Sequence, residues 1–264
     1  MSIDLTGITN KNEYYTNHYF STVFEENTST TISNWNAAAR DSEEIKTPWS
    51  LLRQNARQFY TAHDKFVRSA VNLQVLANIK ALAGSYLKSL GYPEATPEVV
   101  SVDDSLSVPV YLEMTKGNGA PLLWVLLSAS KESDAGIMES FVFNADDVDD
   151  DAAGTLYKGV LGEIANEDLV TKILFGTAEP PRFIMLIGMN QIALIDRNKW
   201  TTSGTKSAIF SLNSRRFFLD WKTRLCRQCL SCFIRILFAL MMEKFFWMSW
   251  MNRARRMLPA YRKT

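Results

Sequence analysis

Three groups of residues in this 264-residue sequence have types and spacings that could do chemistry. Cys226, Cys229 and Cys232 form a C-x-x-C-x-x-C run, a spacing that can gather thiolates around an iron–sulfur cluster or a zinc ion. A ferredoxin-type run continues with a further cysteine where this chain has Ile236, and a closed zinc site also lacks its fourth ligand. The run "ADDVDDD" places Asp147, Asp149 and Asp151 at the first, third and fifth positions of a calcium loop. The sixth position, which needs glycine for its turn, is Ala152, and the twelfth, which needs glutamate, is Lys158. A solvated acidic loop is the better reading. The third group lies in "SVDDSLSVPVYLEMTK". Restriction-enzyme-type nucleases place an acid before one strand and an acid-x-Lys pair on the next, to hold a divalent metal and an attacking water. Asp104, with its neighbour Asp103, then Glu113 and Lys116 are the corresponding candidates. The step from Glu113 to Lys116 is one residue too long, which on a strand turns the lysine to the other face. They are weak candidates, and ordinary surface charge is preferred. His18 and His63 stand alone, and there is no glycine-rich dinucleotide loop, P-loop or Gly-x-Ser-x-Gly elbow. The expectation is no catalytic, cofactor-binding or metal residue in this chain.

Such groups would have to be positioned by an α+β fold. Residues 1–94 read as a helical lobe. "NKNEYYTNHYFSTVFEE" aligns Tyr15, Tyr19, Val23 and Phe24 on one helical stripe, and "TTISNWNAAARDSEE" follows as a second helix. "TPWSLLRQNARQFYTA" has Thr47 as N-cap and Pro48 at its first position. "HDKFVRSAVNLQVLANIKALAGSYLKSLGYP" is amphipathic and is stopped by Gly91 and Pro93. Residues 95–200 change pattern. "VPVYLEMTK" and "PLLWVLLSAS" read as strands joined by a "GNGA" turn. "TLYKGVLGEIANEDLVTKILFG" returns to helix, and "PPRFIMLIGMNQIALIDRNKW" gives two strands with Met189–Gln191 at the turn. The expected sheet is small and mixed with a packed helix, and is restriction-endonuclease-like at best.

Residues 201–264 are of another kind. They carry 13 lysines and arginines against two acids, Asp220 and Glu243, whereas the first 200 residues carry 16 basic and 26 acidic groups. The best apolar window, 233–251, contains Arg235, Glu243 and Lys244. At about 2.5–3.5 kcal/mol for each mid-membrane charge, a spanning segment is not expected. The N-terminus has no basic start or apolar stretch of a signal peptide, so a cytoplasmic, bacterial-type location is the default.

The tail has a second reading. If its frame is moved back by one nucleotide, Met following a codon that ends in G becomes Asp, and Trp following one that ends in C becomes Leu. With permitted codons "MMEKFFWMSWMNRARRM" conceals "DDGKVLLDELDEQSQKN", and "SAIFSLNSRRFF" conceals "RYLQFELEEIF". "TTSG" can be written to repeat the nucleotides of "NKW", Asn198 to Trp200, so a short tandem duplication there would shift the frame. The concealed sequence is acidic and amphipathic, as a continuation of an acidic domain should be.

The segments "VPVYLEMTKGNGAPLLWVLLSAS", "EPPRFIMLIGMNQIALIDRNKW" and the concealed "RYLQFELEEIF" together resemble the N-terminal region of large bacterial adenine-specific DNA methyltransferases of the restriction–modification (type IIG-like) and phage-defence class. The resemblance covers most of residues 1–200. Its markers are a "PPR(F/W)" start, an "xDRxKW" end and a following "RYLxF(D/E)L". It implies a parent whose later domain binds S-adenosylmethionine and holds a flipped adenine in an Asn-Pro-Pro-Tyr type motif. Neither motif is present here. The only Pro-Pro, Pro180-Pro181, lacks the asparagine and the aromatic. The resemblance therefore implies a truncated, frame-shifted N-terminal fragment, inactive alone, without its own cofactor, and with DNA as a partner only of the full-length parent. The rivals are a small nucleic-acid-binding or regulatory protein with a basic tail, and a membrane-associated protein anchored by that tail.

Overall fold

The computed structural model describes residues 7–43, 45–68, 73–104, 106–129, 136–140, 142, 164–201 and 207–214. The three cysteines and the acidic "ADDVDDD" run lie outside these residues.

The fold is α+β. A short strand β1 (Ile8–Lys11) comes first, where only helix was expected. A π-helical turn (Tyr19–Val23) then runs directly into α1 (Phe24–Asp41), so the first two expected helices are continuous. α2 (Pro48–Gln54) starts as expected, with the Thr47 side chain accepting from the Ser50 N–H. α3 (Ala56–Arg68) and α4 (Leu73–Ser89) follow. At the end of α4, Gly91 adopts φ +84°. Its N–H donates to Lys88 O, and the Tyr92 N–H donates to Leu87 O. This pair of bonds satisfies the orphan carbonyls of the last turn and requires the left-handed residue that glycine supplies.

β2 (Glu98–Ser101) pairs antiparallel with β3 (Ser107–Val110), and β4 (Leu112–Thr115) pairs antiparallel with β5 (Pro121–Leu127). Between β3 and β4, Tyr111 N–H donates to Val125 O at 2.8 Å, which carries the pairing with β5 through the gap. Helix α5 (Asn166–Gly176) leads to β6 (Phe183–Ile187), which is parallel to β5. β7 (Gln191–Asp196) and β8 (Ile209–Asn213) complete a six-stranded sheet of order β1-β8-β7-β6-β5-β4.

The central strands are apolar on both faces because both faces are covered. Leu123, Val125 and Leu127 of β5, with Phe183, Met185 and Ile187 of β6, pack with Phe59, Phe66, Leu76 and Ile79 of the helical segment. Trp124 and Leu126, with Ile184 and Leu186, pack with Leu169, Val170 and Ile173 of α5. Period-2 alternation thus sorts one continuous hydrophobic run into two cores.

Neither expected boundary, at 94/95 or at 200/201, coincides with a break in this packing. The first core draws on residues from both sides of position 95. β8 lies beyond Trp200 yet sits inside the sheet, between β7 and β1, with Phe210 fully buried. The physical reason is that β7 would otherwise present an open edge, and an apolar strand from the chain itself fills it.

The turn after β1 is strained. Asn12 and Glu13 hold φ of +53° and +52°, the two positive values a tight I′-type turn requires. Asparagine tolerates this and glutamate does not. Asn10 braces the turn, donating to Tyr15 O at 2.7 Å and accepting from the Tyr15 N–H at 3.0 Å. Glu13→Gly is expected to stabilise the chain by about 0.5–1 kcal/mol, the relief of strain less the entropy glycine adds to the unfolded state. An unchanged or lowered urea midpoint would contradict this.

Candidate functional site

The most connected polar centre is built from the two sequence markers "PPRF" and "DRNKW". Pro180 and Pro181 end the preceding segment and deliver Arg182 to the start of β6. Phe183 pairs with Asp196 at the end of β7, so the antiparallel ladder brings Arg182 beside Asp196. The guanidinium holds the carboxylate by one hydrogen bond and one ion-pair contact. Arg182 Nε lies 3.0 Å from Oδ1, and Nη2 donates to Oδ2 at 3.0 Å. The carboxylate side chain is 3% exposed. Asp196 Oδ1 also accepts from the Asn198 N–H at 2.9 Å, capping a 3-10 turn at Arg197–Lys199.

That turn distributes its next two side chains to different elements. The Lys199 ammonium donates to the carbonyl of Tyr14 and lies 4.6 Å and 5.2 Å from the ring centroids of Tyr14 and Tyr15. Burial lowers the Lys199 pKa below its ordinary value; the Asp196 carboxylate opposes this and Arg182 adds to it. The Trp200 indole N–H donates to Thr171 Oγ1 on α5 at 3.0 Å. The Tyr14 phenol is buried without a hydrogen-bond partner and is pushed well above its ordinary pKa by burial, then by Tyr15 and Asp196. Sheet, N-terminal segment and α5 are therefore tied at one node. Chemically it is a clamp: its charges are engaged with one another, and no nucleophile faces a base there.

A second polar set lies at the C-terminal ends of β5 and β6, the side on which sheets with parallel strands commonly bind ligands. Buried Asn166 donates to Ser128 Oγ at 3.0 Å and to Ile137 O at 2.7 Å, and the Ile137 N–H donates to Gln191 Oε1 at 2.8 Å. The Asn166 Oδ1 is buried without a partner. The first N–H groups of α5 are taken by the carbonyls of Ser140 and Met138, and Glu167 and Asp168 occupy its first turn. That helix start is therefore not arranged to receive an anion.

The nuclease candidates stand on separate pieces of structure. Asp104 is exposed in the bend before β3, and Lys116 is exposed in the turn after β4. β3 of the two-stranded sheet, the bend at Tyr111 and β4 of the six-stranded sheet lie between them in the chain. Glu113 accepts from the Trp124 indole N–H at 2.9 Å. It also shares a hydrogen bond with Glu98, whose pKa is raised by that bond first, then by burial and by repulsion from Glu113. Among the described residues, no group of three or more His, Cys, Asp or Glu side chains is placed to hold a metal ion. No helix among them is long and apolar enough to cross a membrane.

The carboxyl pair gives a pH prediction. A raised folded-state value means that the native protein binds the proton more tightly than the unfolded chain. The stability this adds is complete below the ordinary glutamate value of 4.5 and is lost as the pH rises through the raised value. Glu98→Gln, whose amide can donate to Glu113 at any pH, should flatten that loss and raise the urea midpoint at pH 7. An unaltered pH profile of the midpoint would show that the pair is uncoupled in solution.

Sequence reasoning used "PPRF" and "DRNKW" as family markers but missed that Arg182, Asp196, Lys199 and Tyr14 meet. The available signal was the hairpin itself, because a two-strand ladder turning at 189–191 must return residue 196 to the start of β6. His18 is exposed, 3.4 Å from Thr22 Oγ1, and His63 lies 3.7 Å from Asp64 and beside the Phe59 ring. Comparison with protein-family models, with curated proteins and with solved structures returned no match for this chain.

Proposed function

We propose that this chain is the N-terminal accessory module of a bacterial DNA adenine methyltransferase of the restriction–modification class, cut off from its catalytic domain by a change of reading frame. In this reading it is cytoplasmic, holds no S-adenosylmethionine and neither methylates nor cleaves DNA alone. The observation that carries the reading is the coupling of its markers. Arg182 of "PPRF" and Asp196 of "DRNKW" form one hydrogen-bonded ion pair, while Lys199 and Trp200 of the same motif tie the N-terminal segment and α5 to it. Marker residues that fix one another explain why such a pattern would recur in a module that performs no chemistry. The order α4, β2, β3–β4, β5, α5 and a parallel β6 is compatible with a restriction-endonuclease-like sheet. On β5, "PLLWVLL" offers no acid for a metal. Two measurements test the proposal. The DNA that follows the codon of Trp200 should contain, in another frame, the continuation into a methyltransferase with a glycine-rich loop and an Asn-Pro-Pro-Tyr type motif. Calorimetry of the purified chain with S-adenosylmethionine should show no saturable heat. Micromolar binding, or a downstream sequence without those motifs, would overturn it.

A further inference from the structure

The two sides of the sheet carry opposite charge. α2 to α4, which cover one face, expose Arg53, Arg57, Lys65, Arg68 and Lys88, and Asp64 is the only acid of that segment. The other side is the reverse. α5 and the β2–β3 hairpin carry Glu98, Asp103, Asp104, Glu167 and Asp168 against Lys172 alone. On α3, Arg57, Thr61, Lys65 and Arg68 recur at helical spacing, so they share one stripe, opposite the buried Phe59, Ala62 and Phe66. Asp64 lies in that stripe too, 3.7 Å from His63 Nδ1. Hydrogen bonds from Asn55 to Ser85 O and Ser89 Oγ, and from Ser85 to Gln58, bring the end of α4 alongside the start of α3, so exposed Lys88 joins the basic surface there. Acids outnumber bases in the first 200 residues, yet Arg57, Lys65, Arg68 and Lys88 form no ion pair among the described residues.

We propose that the outer face of α2–α4 holds the phosphate backbone of duplex DNA, with the acidic side of the domain turned away. The choice of DNA among polyanions rests on the function proposed above; the existence of the face does not. Arg57 and Arg68 stand about 16 Å apart along α3 at ~1.5 Å per residue. A DNA strand presents a charge every ~3.4 Å of its axis, so the stripe can meet several phosphates in a row. Three of the five exposed cations are arginines, whose planar fork matches a phosphate. Exposed Gln54 and Gln58 lie among them, and Gln58 turns its oxygen to the Ser85 hydroxyl, leaving its amide group to donate outward. An acidic protein partner fits less well, because protein interfaces are built around an apolar centre. Among the described residues the exposed large apolar side chain is Phe175, on α5 at the other side of the sheet. Contacts to phosphate fix position and carry no sequence information, a task suited to an accessory module.

The test uses the full chain, so that residues 215–264 contribute equally to every variant. One variant carries Arg57→Gln and Arg68→Gln. A control of equal charge carries Lys116→Gln and Lys172→Gln, both exposed and outside the basic face. Fluorescence anisotropy follows binding to labelled duplexes of about 20 base pairs and of two unrelated sequences, between about 50 and 200 mM salt. The parent chain and the control are expected to bind both duplexes alike. The face variant is expected to bind about tenfold or more weakly at the lowest salt, with a log–log salt slope shallower by about 2. Lys65→Gln with Lys88→Gln should repeat the effect, which guards against a folding defect in the first pair, and the urea midpoints of all variants should match the parent. If face and control variants weaken alike, only net charge matters and the proposal is wrong. Binding unchanged in both face variants, or absent in the parent chain, overturns it as well. Equal affinity for a polyglutamate of the same charge would make an acidic protein the partner and overturn the assignment to DNA. The reading as a methyltransferase module fails separately, on the downstream gene sequence, whatever the duplexes show.

Discussion

A chain ending at Trp200 is expected to lose cooperative folding, whereas a chain ending at Ser214 keeps it. The sequence alone puts the domain boundary at residue 200, because composition and charge change there, and on that basis residues 1–200 should be the soluble unit. The structure makes the opposite demand. Removing residues 201–214 strips Ile209, Phe210 and Leu212 from the cores, a loss of roughly 5–9 kcal/mol at ~1.5–3 kcal/mol for each buried side chain. It leaves one hydrogen-bonding edge of β7 open and β1 without its partner, since β1 is held in the sheet by β8. It also removes Ser214, whose N–H donates to Asn190 O at 2.7 Å and whose hydroxyl faces the buried Tyr86 phenol. A loss of this size is comparable with the whole stability of an ordinary domain, about 5–15 kcal/mol. Circular dichroism during urea unfolding separates the outcomes. A sigmoidal transition for 1–200 at the midpoint of 1–214 would place β8 outside the cooperative unit.

What the sequence revealed and what it hid follow from the range of the interactions. The Thr47 cap, the Gly91 stop and the β4–β5 and β6–β7 hairpins depend on residues a few positions apart, and local pattern shows them. β1 was hidden because Ile8–Lys11 has no strand-forming pattern of its own; it becomes a strand by pairing with residues about 200 positions away. β8 was hidden for another reason. It stands beside a stretch of abnormal composition, and the change in charge at residue 201 masks five residues of ordinary alternation. At the candidate site the markers were legible as text, but their meeting was not, because it requires the register of β6 on β7. Asp104, Glu113 and Lys116 are near in sequence but stand on different elements, Asp104 before β3, Glu113 on β4 and Lys116 after it.

Breaking the Arg182–Asp196 pair from one side should cost more than removing both partners. Asp196 is almost fully buried and accepts from two donors, Arg182 Nη2 and the Asn198 N–H, with Arg182 Nε in ion-pair contact at 3.0 Å. Arg182→Met leaves that carboxylate in the interior without its counter-ion, a change of about 3–5 kcal/mol for a buried pair. Asp196→Leu leaves a guanidinium that is about one-third exposed and can turn toward water, so its loss should be smaller. It will still include the uncapped Asn198 N–H, worth about 1 kcal/mol. The double variant removes both charges and fills the space with apolar atoms, and its stability should lie above that of Arg182→Met alone. The effect should also reach the N-terminus. The Arg197–Lys199 turn is capped by Asp196, and Lys199 holds the carbonyl of Tyr14. Amide exchange of β1 should therefore speed up in Asp196→Leu even under conditions where β5 and β6 remain protected. If the two single variants are equally mild and the double variant is simply their sum, the pair is a surface ornament rather than a clamp. The marker segments would then need another reason to occur together.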